Sequence, residues 1–368
     1  MSREENTETE HSTEPAPDFA RQLLTWYDVE RRILPWREDP SPYHVWLSEI
    51  MLQQTRVEAV MDYYRRFLSV LPDLPAFAAA QEPVYMKLWE GLGYYSRIRN
   101  FHRAAVLVME EYGGEIPSDP AVLVKLPGIG PYTAAAIASI AFGVRAVSVD
   151  GNLLRVFTRL TADGGDIREK ETRQRAEAFF LERMQERPGD FNQALMDLGA
   201  TVCLPGKEPA CGRCPLSGVC AAHAAGHEAD FPAPTKKAAR RIVPLTVLRI
   251  RIGDRICLGR RPDSGLLAGL YELPNLEGHL TEEEVQAFIT REGAGVPVRE
   301  ILFLGEAKHV FTHLEWHMKG YEVRLKDIPA SADFAARKGW TAASPAQVRE
   351  VFSVPAAFSA FLWEVQPT

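Results

Sequence analysis

Two carboxylates lie in sequence settings that would hold them in opposite protonation states. Glu49 is flanked by apolar residues in WLSEIML (46–52), and desolvation in such a setting raises a carboxyl pKa and retains the proton. Asp150 stands directly before a helical stretch in SVDGNLLRV (148–156), where a helix N-terminus stabilises the ionised form. One protonated acid and one fixed anion can together cleave a glycosidic bond through a cation-like transition state. Each also has an ordinary alternative: Glu49 as a solvated helix residue and Asp150 as a simple N-cap.

A glycine-rich turn precedes an alanine-rich helix in LPGIGPYTAAAIASIAF (126–142). Gly128 and Gly130 permit backbone conformations and close approaches that a side chain would block, and Pro131 suits the first turn of a helix. Free N–H groups at the start of that helix can hold a phosphate oxygen. An isolated GxG would favour an ordinary turn between helices, whereas the full string favours phosphate binding.

Most of the cysteines fall in one short segment with the spacing C-x7-C-x2-C-x5-C: Cys203, Cys211, Cys214 and Cys220. Clustered thiols in a chain without a secretory signal indicate a metal site rather than disulfides. The spacing fits either zinc or an iron–sulfur cluster. His223 and His227 follow, but four thiolates already complete a site, so both histidines are interpreted as surface residues. Cys257 is interpreted as a core residue of a strand.

Composition and charge limit the function classes. The chain has 368 residues, 46% hydrophobic and 25% charged, with a net charge of -7, which is typical of a globular protein of two domains and excludes a disordered or collagen-like chain. The Glu-rich N-terminus has neither a basic start nor an apolar block, and no apolar stretch approaches the ~20 residues that span a bilayer. A cytoplasmic location is therefore expected. Because no segment is strongly basic, phosphate binding must use local patches and backbone N–H groups.

The elements that position these residues change in type along the chain. Residues 1–17 are interpreted as a disordered acidic tail, and residues 226–243, rich in proline and basic side chains, as a linker. Apolar spacing predicts a mainly α domain at 18–225 and an α+β domain at 244–368. Before the linker, helices are predicted at 18–33, 41–68, 84–90, 97–111, 119–125, 131–142, 152–161, 169–186 and 190–201. After it, strands are predicted at 242–252, 255–260, 301–304, 307–314 and 317–325, and helices at 281–292 and 345–352.

Seven motifs, taken in order, resemble those of the adenine DNA glycosylases of the MutY family, which remove adenine mispaired with 8-oxoguanine or guanine. They are LPWR (34–37), SEIMLQQT (48–55), LWEGLGYYSRIRN (88–100), LPGIGPYTA (126–134), VDGN (149–152), the cysteine cluster and FTH (311–313). The resemblance covers nearly all of residues 18–368. It implies a helix-hairpin-helix glycosylase domain, a 4Fe-4S cluster on the four clustered cysteines and a Nudix-like C-terminal domain. It also implies base excision repair by base flipping on double-stranded DNA, by a monomer that associates with the nucleoid when bound.

The resemblance assigns roles to individual residues. Glu49 would protonate N7 of the flipped adenine, and Asp150 would stabilise the oxocarbenium ion through a transient covalent adduct. Tyr132 and Asn152 would support this pair, and Arg37, which alone would be a surface charge, would face the adenine pocket. Further DNA contacts are implied for Gln54 and Thr55 in the space left by the extruded base, Tyr94 as a wedge beside 8-oxoguanine, Gly128 and Gly130 in the hairpin, and Thr312 and His313 in the lesion-reading loop. Without the family, Tyr94 is interpreted as core packing and the Thr312–His313 pair as structural.

Two departures from the family pattern affect what is expected. The first cysteine gap is one residue longer than usual, which changes only the loop geometry. The segment GLLAGLYELP (265–274) resembles a Nudix fold, but no complete acidic metal box follows, so hydrolysis of nucleoside diphosphates is not expected.

Three rival functions share parts of this pattern: an endonuclease III-like glycosylase with lyase activity, a non-catalytic damage sensor, and a Nudix hydrolase fused to a DNA-binding module. Glu49 and the FTH loop favour adenine excision over the first two, and the incomplete Nudix box weakens the third. Tyr132 occupies the position where the lyase relatives carry a Schiff-base lysine, and a phenol cannot form an imine. A monofunctional enzyme is therefore expected.

Overall fold

The computed structural model describes residues 18–206, 208–234 and 239–363. The predicted acidic tail at 1–17 lies outside the described residues. The chain divides into two compact units, of which the first combines residues up to 53 with 110–236 and the second combines 54–109 with the chain from 237 onward.

The order of elements changes from helices to a mixed set of strands and helices, as the sequence predicts. The α-helices are α1 (Asp18–Glu30), α2 (Pro42–Leu52), α3 (Val57–Val70), α4 (Leu74–Ala78), α5 (Glu82–Leu88), α6 (Ser96–Glu111), α7 (Pro120–Leu123), α8 (Pro131–Phe142), α9 (Gly151–Thr161), α10 (Lys170–Arg183), α11 (Pro188–Thr201), α12 (Ala221–Ala225), α13 (Glu282–Gly293), α14 (Pro329–Arg337), α15 (Pro345–Glu350) and α16 (Ser359–Leu362). The strands are β1 (Arg241–Ile252), β2 (Arg255–Arg260), β3 (Tyr271–Glu272), β4 (Asn275–Glu277), β5 (Val298–Val310), β6 (Leu314–Leu325) and β7 (Trp340–Ala343). The predicted fold class, mainly α followed by α+β, is confirmed. Among the described residues, none of the helices combines the length and apolar character that crossing a membrane requires.

The first unit is a helical assembly in which α11 packs against α1, α8 and α9, while α2 packs against α8. Its core contains large apolar side chains that are fully buried, including Leu23, Leu153, Phe180 and Phe191. Burying such side chains contributes roughly 1.5–3 kcal/mol each. This packing fixes the start of α8 and the start of α9 relative to α2, the helix that carries Glu49.

The second unit is built on a mixed sheet with the strand order β3-β2-β1-β6-β5. β1 and β6 pair in parallel from Arg241 opposite Leu314 to Ile252 opposite Leu325. β1 is buried on both faces: Leu245 and Val247 belong to one apolar cluster, and residues 248, 250 and 252 belong to another. A strand covered on both faces reads as a continuous apolar run rather than as an alternating one.

The predicted helix at 41–68 is wrong as a single element, because the structure contains two helices, α2 and α3. The break falls at residues 53–56, where Gln54 has a φ of 57°. A residue in the left-handed region cannot continue a right-handed helix.

The two predicted strands at 301–304 and 307–314 are one strand, β5, with a register irregularity between Phe303 and Gly305. The strand ends at Val310, so the FTH motif lies in the turn before β6 rather than in a strand.

The two compact units differ from the predicted domains in residues 54–109. The prediction includes this segment in the N-terminal domain, whereas in the structure it belongs to the second unit and its side chains bond the C-terminal part of the chain. Glu90 accepts a hydrogen bond from the Val354 amide at 3.0 Å, and Arg99 donates to the Ala268 carbonyl at 2.6 Å. The domain boundaries at 18–225 and 244–368 stay a prediction.

Candidate active site

Glu49 lies in the most enclosed stretch of α2. Ser41 caps this helix by accepting from the His44 amide, and Pro42 occupies its first position, as the sequence predicts. The Glu49 side chain is buried, and its Oε2 has no hydrogen-bond partner among the described residues. Leaving a buried carboxyl oxygen without a hydrogen-bond partner costs free energy, and such atoms are rare in an ordinary core. The unpartnered oxygen of Glu49 is available to bond a group that enters the site.

Burial raises the pKa of Glu49 from 4.5 to about 7. The Tyr132 hydroxyl and the charge of Arg37 lower the pKa of Glu49, whereas the nearby Asp150 carboxylate raises it further. Near neutral pH this carboxyl group therefore carries a proton in a large fraction of molecules.

Asp150 is the N-cap of α9. Its Oδ1 accepts from the Leu153 amide at 2.7 Å, and its Oδ2 accepts from the Asn152 side chain at 3.1 Å. Burial raises the pKa of Asp150 above its ordinary value, although these hydrogen bonds and the charge of Arg155 favour the ionised form. The sequence indicates only the cap, which lowers the pKa of Asp150. Burial raises this pKa and is not visible in the local sequence.

Tyr132 lies close enough to both Glu49 and Asp150 for their charges to raise its pKa. It occupies the first turn of α8, its hydroxyl lies 4.0 Å from Met196 Sδ, and its pKa is raised by burial and by the charges of Glu49 and Asp150. A phenol kept protonated in this way can donate to Glu49 across the working pH range.

The glycine hairpin has the geometry that its sequence indicates. Gly128 has a φ of 78°, and Gly130 is the N-cap of α8 with no side-chain cap. Gly130 and Lys125 are both exposed. The first N–H groups of α8 are thus not covered by a capping side chain, which is the arrangement that binds phosphate oxygens.

Arg37 is part of a buried ion pair that the sequence did not predict. Its guanidinium donates to both carboxylate oxygens of Asp197, at 2.8 and 3.0 Å, and Arg32 donates to the same carboxylate at 2.7 Å. Burial opposes ionisation of Asp197, but the hydrogen bonds and charges of the two arginines outweigh it and hold its pKa below the usual range. One signal was present: an acidic residue stands within the apolar helical string ALMDLGA (194–200).

All four clustered cysteines line one small cavity in the first unit, and each is half-buried. Burial raises the pKa of Cys214 to about 12 and that of Cys211 to about 11. Thiols that converge on one cavity fit a metal centre with four thiolate ligands, since a bound cation would favour the ionised form. Outside this set, His223 Nδ1 lies 2.6 Å from Glu228, and both lie close to Cys211; His223 and His227 are exposed, as predicted.

Arg155 connects the cysteine cavity with the catalytic candidates. It donates to the Cys203 carbonyl at 2.8 Å and to the Asn152 side-chain oxygen at 2.9 Å. Asn152 in turn donates to Asp150. Gly199 permits this packing, because a Cβ there would lie 2.7 Å from the Asn152 Cβ.

The remaining predicted DNA-binding residues belong to the second unit. Gln54, Tyr94, Thr312 and His313 line one cavity of about 540 Å³, a size typical of ligand pockets. The hydroxyls of Tyr94 and Thr312 are 2.5 Å apart. Thr55 does not line this cavity and lies 3.4 Å from an Arg97 guanidinium nitrogen.

Comparison with known proteins identifies both parts of the chain. A HhH-GPD superfamily base excision DNA repair protein model matches residues 47–181, and a NUDIX domain model matches residues 246–363. The chain is 35% identical to an adenine DNA glycosylase of Rattus norvegicus, over 91% of this chain and 77% of that protein. It is 32% identical to an adenine DNA glycosylase of Buchnera aphidicola, over 84% of this chain and 87% of that protein. A solved thermostable thymine-DNA glycosylase superposes with a TM-score of 0.51 at 29% identity, covering 56% of this chain and 95% of that one. The predicted helix-hairpin-helix and Nudix-like folds are confirmed.

Proposed function

The chain belongs to the adenine DNA glycosylase family and is a DNA N-glycosylase of base excision repair; on that premise we propose that its substrate is adenine mispaired with 8-oxoguanine or guanine. We further propose that it breaks the bond between base and deoxyribose and leaves the strand intact. The observation that carries the chemistry is the buried Glu49 carboxyl, protonated near neutral pH and with one oxygen free, beside the Asp150 carboxylate.

In the proposed reaction the adenine leaves the base stack and enters the pocket beside Glu49. The proton of Glu49 moves to N7 of adenine, and the bond from N9 to C1′ breaks with its electron pair going to the base. The deoxyribose then carries the positive charge, which Asp150 stabilises through a transient covalent adduct at C1′. Water then attacks C1′, the bond from C1′ to the Asp150 oxygen breaks with its electron pair returning to the carboxylate, and the proton that the water releases restores Glu49.

Neighbouring side chains support these two roles. Asn152 orients the Asp150 carboxylate by its hydrogen bond, and the nearby Tyr132 hydroxyl stabilises the ionised form of Glu49. Arg37, held by Asp197, supplies a positive charge beside the pocket, so that Glu49 is not driven to a higher pKa. A charge held in place in this way costs no reorganisation when the reaction occurs.

DNA binding is proposed to use both units. In the first, the N–H groups of Gly128 and Gly130 in the hairpin, together with the uncapped N–H groups in the first turn of α8, bind a phosphate. In the second, Gln54 and Thr55 occupy the space of the extruded base, and Tyr94, 46% exposed, wedges beside the lesion.

Lesion reading is assigned to Thr312 and His313. 8-Oxoguanine differs from guanine by a carbonyl at C8 and a hydrogen at N7, and a hydroxyl or an imidazole can hydrogen-bond either feature. This assignment is supported by the cavity of the second unit, which both residues line together with Tyr94.

The cofactor is proposed to be a 4Fe-4S cluster held by Cys203, Cys211, Cys214 and Cys220. When bound, the cluster supplies four metal–thiolate bonds that cross-link the loops carrying these cysteines. The residues of the chain then act through Arg155, which ties the Cys203 backbone to Asn152.

The absence of lyase activity rests on Tyr132, whose hydroxyl cannot form a Schiff base with the sugar. The chain is further proposed to act as a monomer, and its cytoplasmic, DNA-associated location stays a prediction.

The test of this function is single-turnover base release from duplexes that carry adenine opposite 8-oxoguanine, guanine or thymine. We expect release to be fastest opposite 8-oxoguanine and slowest opposite thymine. Thr312→Ala combined with His313→Ala should reduce the preference for 8-oxoguanine over guanine, whereas Thr290→Ala, on the exposed face of α13, should not. Release opposite thymine as fast as release opposite 8-oxoguanine and guanine would refute the proposed substrate. Equal rates opposite 8-oxoguanine and guanine in the wild type would refute the lesion reading assigned to Thr312 and His313.

A further inference from the structure

We propose that Arg99 is a positioning residue that holds the loop Gly265–Gly269 as a wall of the second unit's cavity, and so sets discrimination between 8-oxoguanine and guanine. The inference rests on the proposed substrate. Arg99 has no part in the chemical step, and the loop lies in the segment 265–274, which resembles a Nudix fold but lacks a complete acidic metal box.

Arg99 joins two segments that are distant in sequence. Its Nη1 donates to the Ala268 carbonyl at 2.6 Å, and its Nε donates to Glu82, at the start of α5, at 2.7 Å. The guanidinium also lies close to Gly269, where an added Cβ would come within 2.7 Å of Nη2. Arginine makes these two contacts from different nitrogens of one rigid planar fork, a geometry that the single ammonium nitrogen of lysine does not reproduce.

The loop has its own internal bonds, and they leave Ala268 facing Arg99. The Gly269 amide donates to Pro262, and Arg261 donates to the Leu266 carbonyl at 2.9 Å. These bonds close the turn on itself. The bond from Arg99 is a contact to the loop from a separate segment, the start of α6.

Three residues that line the cavity have unusual backbone conformations. Gln54, Tyr94 and Leu267 all line it, and all have positive φ angles, of 57°, 46° and 55°. The other positive-φ residues with side chains, Ala162, Arg187 and Ala294, are helix caps. Such conformations are unfavourable for residues with a side chain and persist where surrounding contacts hold them, typically at functional sites.

Leu267 therefore needs external support to keep its place in the wall, and the neighbouring Ala268 receives it from Arg99. Without this bond the loop can relax toward ordinary backbone angles. If the loop relaxes, the cavity that contains Thr312 and Tyr94 becomes wider. A wider cavity discriminates less between two purines that differ at C8 and N7, because discrimination depends on how precisely the polar groups are held.

The experiment uses the full chain with Arg99→Met, Arg99→Lys and the control Arg103→Met, an exposed arginine one turn later on α6. Amide hydrogen exchange is measured in free protein for peptides that cover 266–271, where the Gly269 and Leu270 amides report loop closure. Single-turnover adenine release is measured opposite 8-oxoguanine and opposite guanine, and the ratio of the two rates is compared.

We expect Arg99→Met to accelerate exchange in the loop at least tenfold and to reduce the rate ratio at least tenfold, with Arg103→Met at wild-type values in both. Arg99→Lys keeps the charge and the aliphatic chain and should give an intermediate effect in both measurements; it decides the matter if Arg99→Met does not fold. A merely structural role would slow release opposite both bases equally and leave the ratio intact, which overturns the proposal, as does unchanged exchange. A wild-type ratio near one refutes the lesion preference itself, whereas a wild-type preference that Arg99→Met leaves intact refutes only the role of Arg99.

Discussion

Replacing Glu49 by glutamine should abolish adenine release while making the protein more stable at alkaline pH. Glutamine has nearly the same shape but no proton to give to N7, and general acid catalysis typically contributes about 10²–10⁴-fold to a rate. Duplex binding should be largely retained, since the side chain is buried and offers no charge to the phosphates.

The stability effect follows from the pKa of Glu49, which burial raises from 4.5 to about 7. The folded protein binds this proton more tightly than the unfolded chain does, so the wild-type free energy of unfolding falls as the pH rises through this window. At about 1.4 kcal/mol per pKa unit, the full shift corresponds to about 3 kcal/mol. Glutamine carries no such penalty. The difference between variant and wild type should therefore grow by about 2–3 kcal/mol between pH 5 and pH 8.

The assay is urea denaturation at pH 5 and pH 8, paired with single-turnover excision. Glu177→Gln, on the exposed surface of α10, is the matched control and should show no pH-dependent difference. Excision by Glu49→Gln within tenfold of wild type would refute its role as the acid. An equal stability difference at both pH values would refute the buried, proton-retaining carboxyl.

Further outcomes follow from the same geometry. Tyr132→Phe removes a hydroxyl that lowers the pKa of Glu49, so the alkaline limb of the pH–rate profile should move to higher pH; a limb that stays in place or moves down contradicts the assignment. Wild-type protein should not be trapped on DNA by borohydride at the rate of base release, whereas Tyr132→Lys should introduce trapping and strand scission. Cys211→Ser should lower iron and sulfide from about four each per chain, and stoichiometric zinc without iron in anaerobically prepared wild type would show that the cofactor is a different one. Gly199→Ala places a Cβ 2.7 Å from that of Asn152, and should slow base release at least tenfold at unchanged iron content.

Local signals in the sequence predicted the elements that carry the candidate site. The burial of Glu49 followed from the apolar string around it, and the cap at Asp150 followed from its place before a helical stretch. The glycines and the proline of the hairpin predicted the start of α8. Each of these features depends on neighbours within a few residues, which is the range over which propensity and periodicity operate.

Features that depend on distant partners were not predictable in this way. Asp197 pairs with Arg37 across 160 positions, and Tyr94 meets Thr312 across 218. The left-handed conformation of Gln54, which splits the helix expected at 41–68, has no local signal because glutamine is an ordinary helix former. The net effect of burial on Asp150 likewise required the packing around it, not only its cap.

The interrupted course of the first unit has a consequence for the order in which the protein is made. Residues up to 53 form one unit with 110–236, and the segment between them belongs to the other unit, which includes the chain after the linker. During synthesis, α2 therefore emerges with the apolar side chains of Trp46, Leu47 and Ile50 long before its packing partner α8 exists. Residues 54–109 remain without their packing partners for longer, until the strands from β1 onward have been synthesised. The first unit therefore cannot fold completely before synthesis of the second unit begins, although domains of a two-domain chain usually fold one after the other. Holding apolar surface exposed over this interval makes the nascent chain a natural client for chaperones, and it implies that truncation after residue 53 or 109 leaves fragments without a complete core.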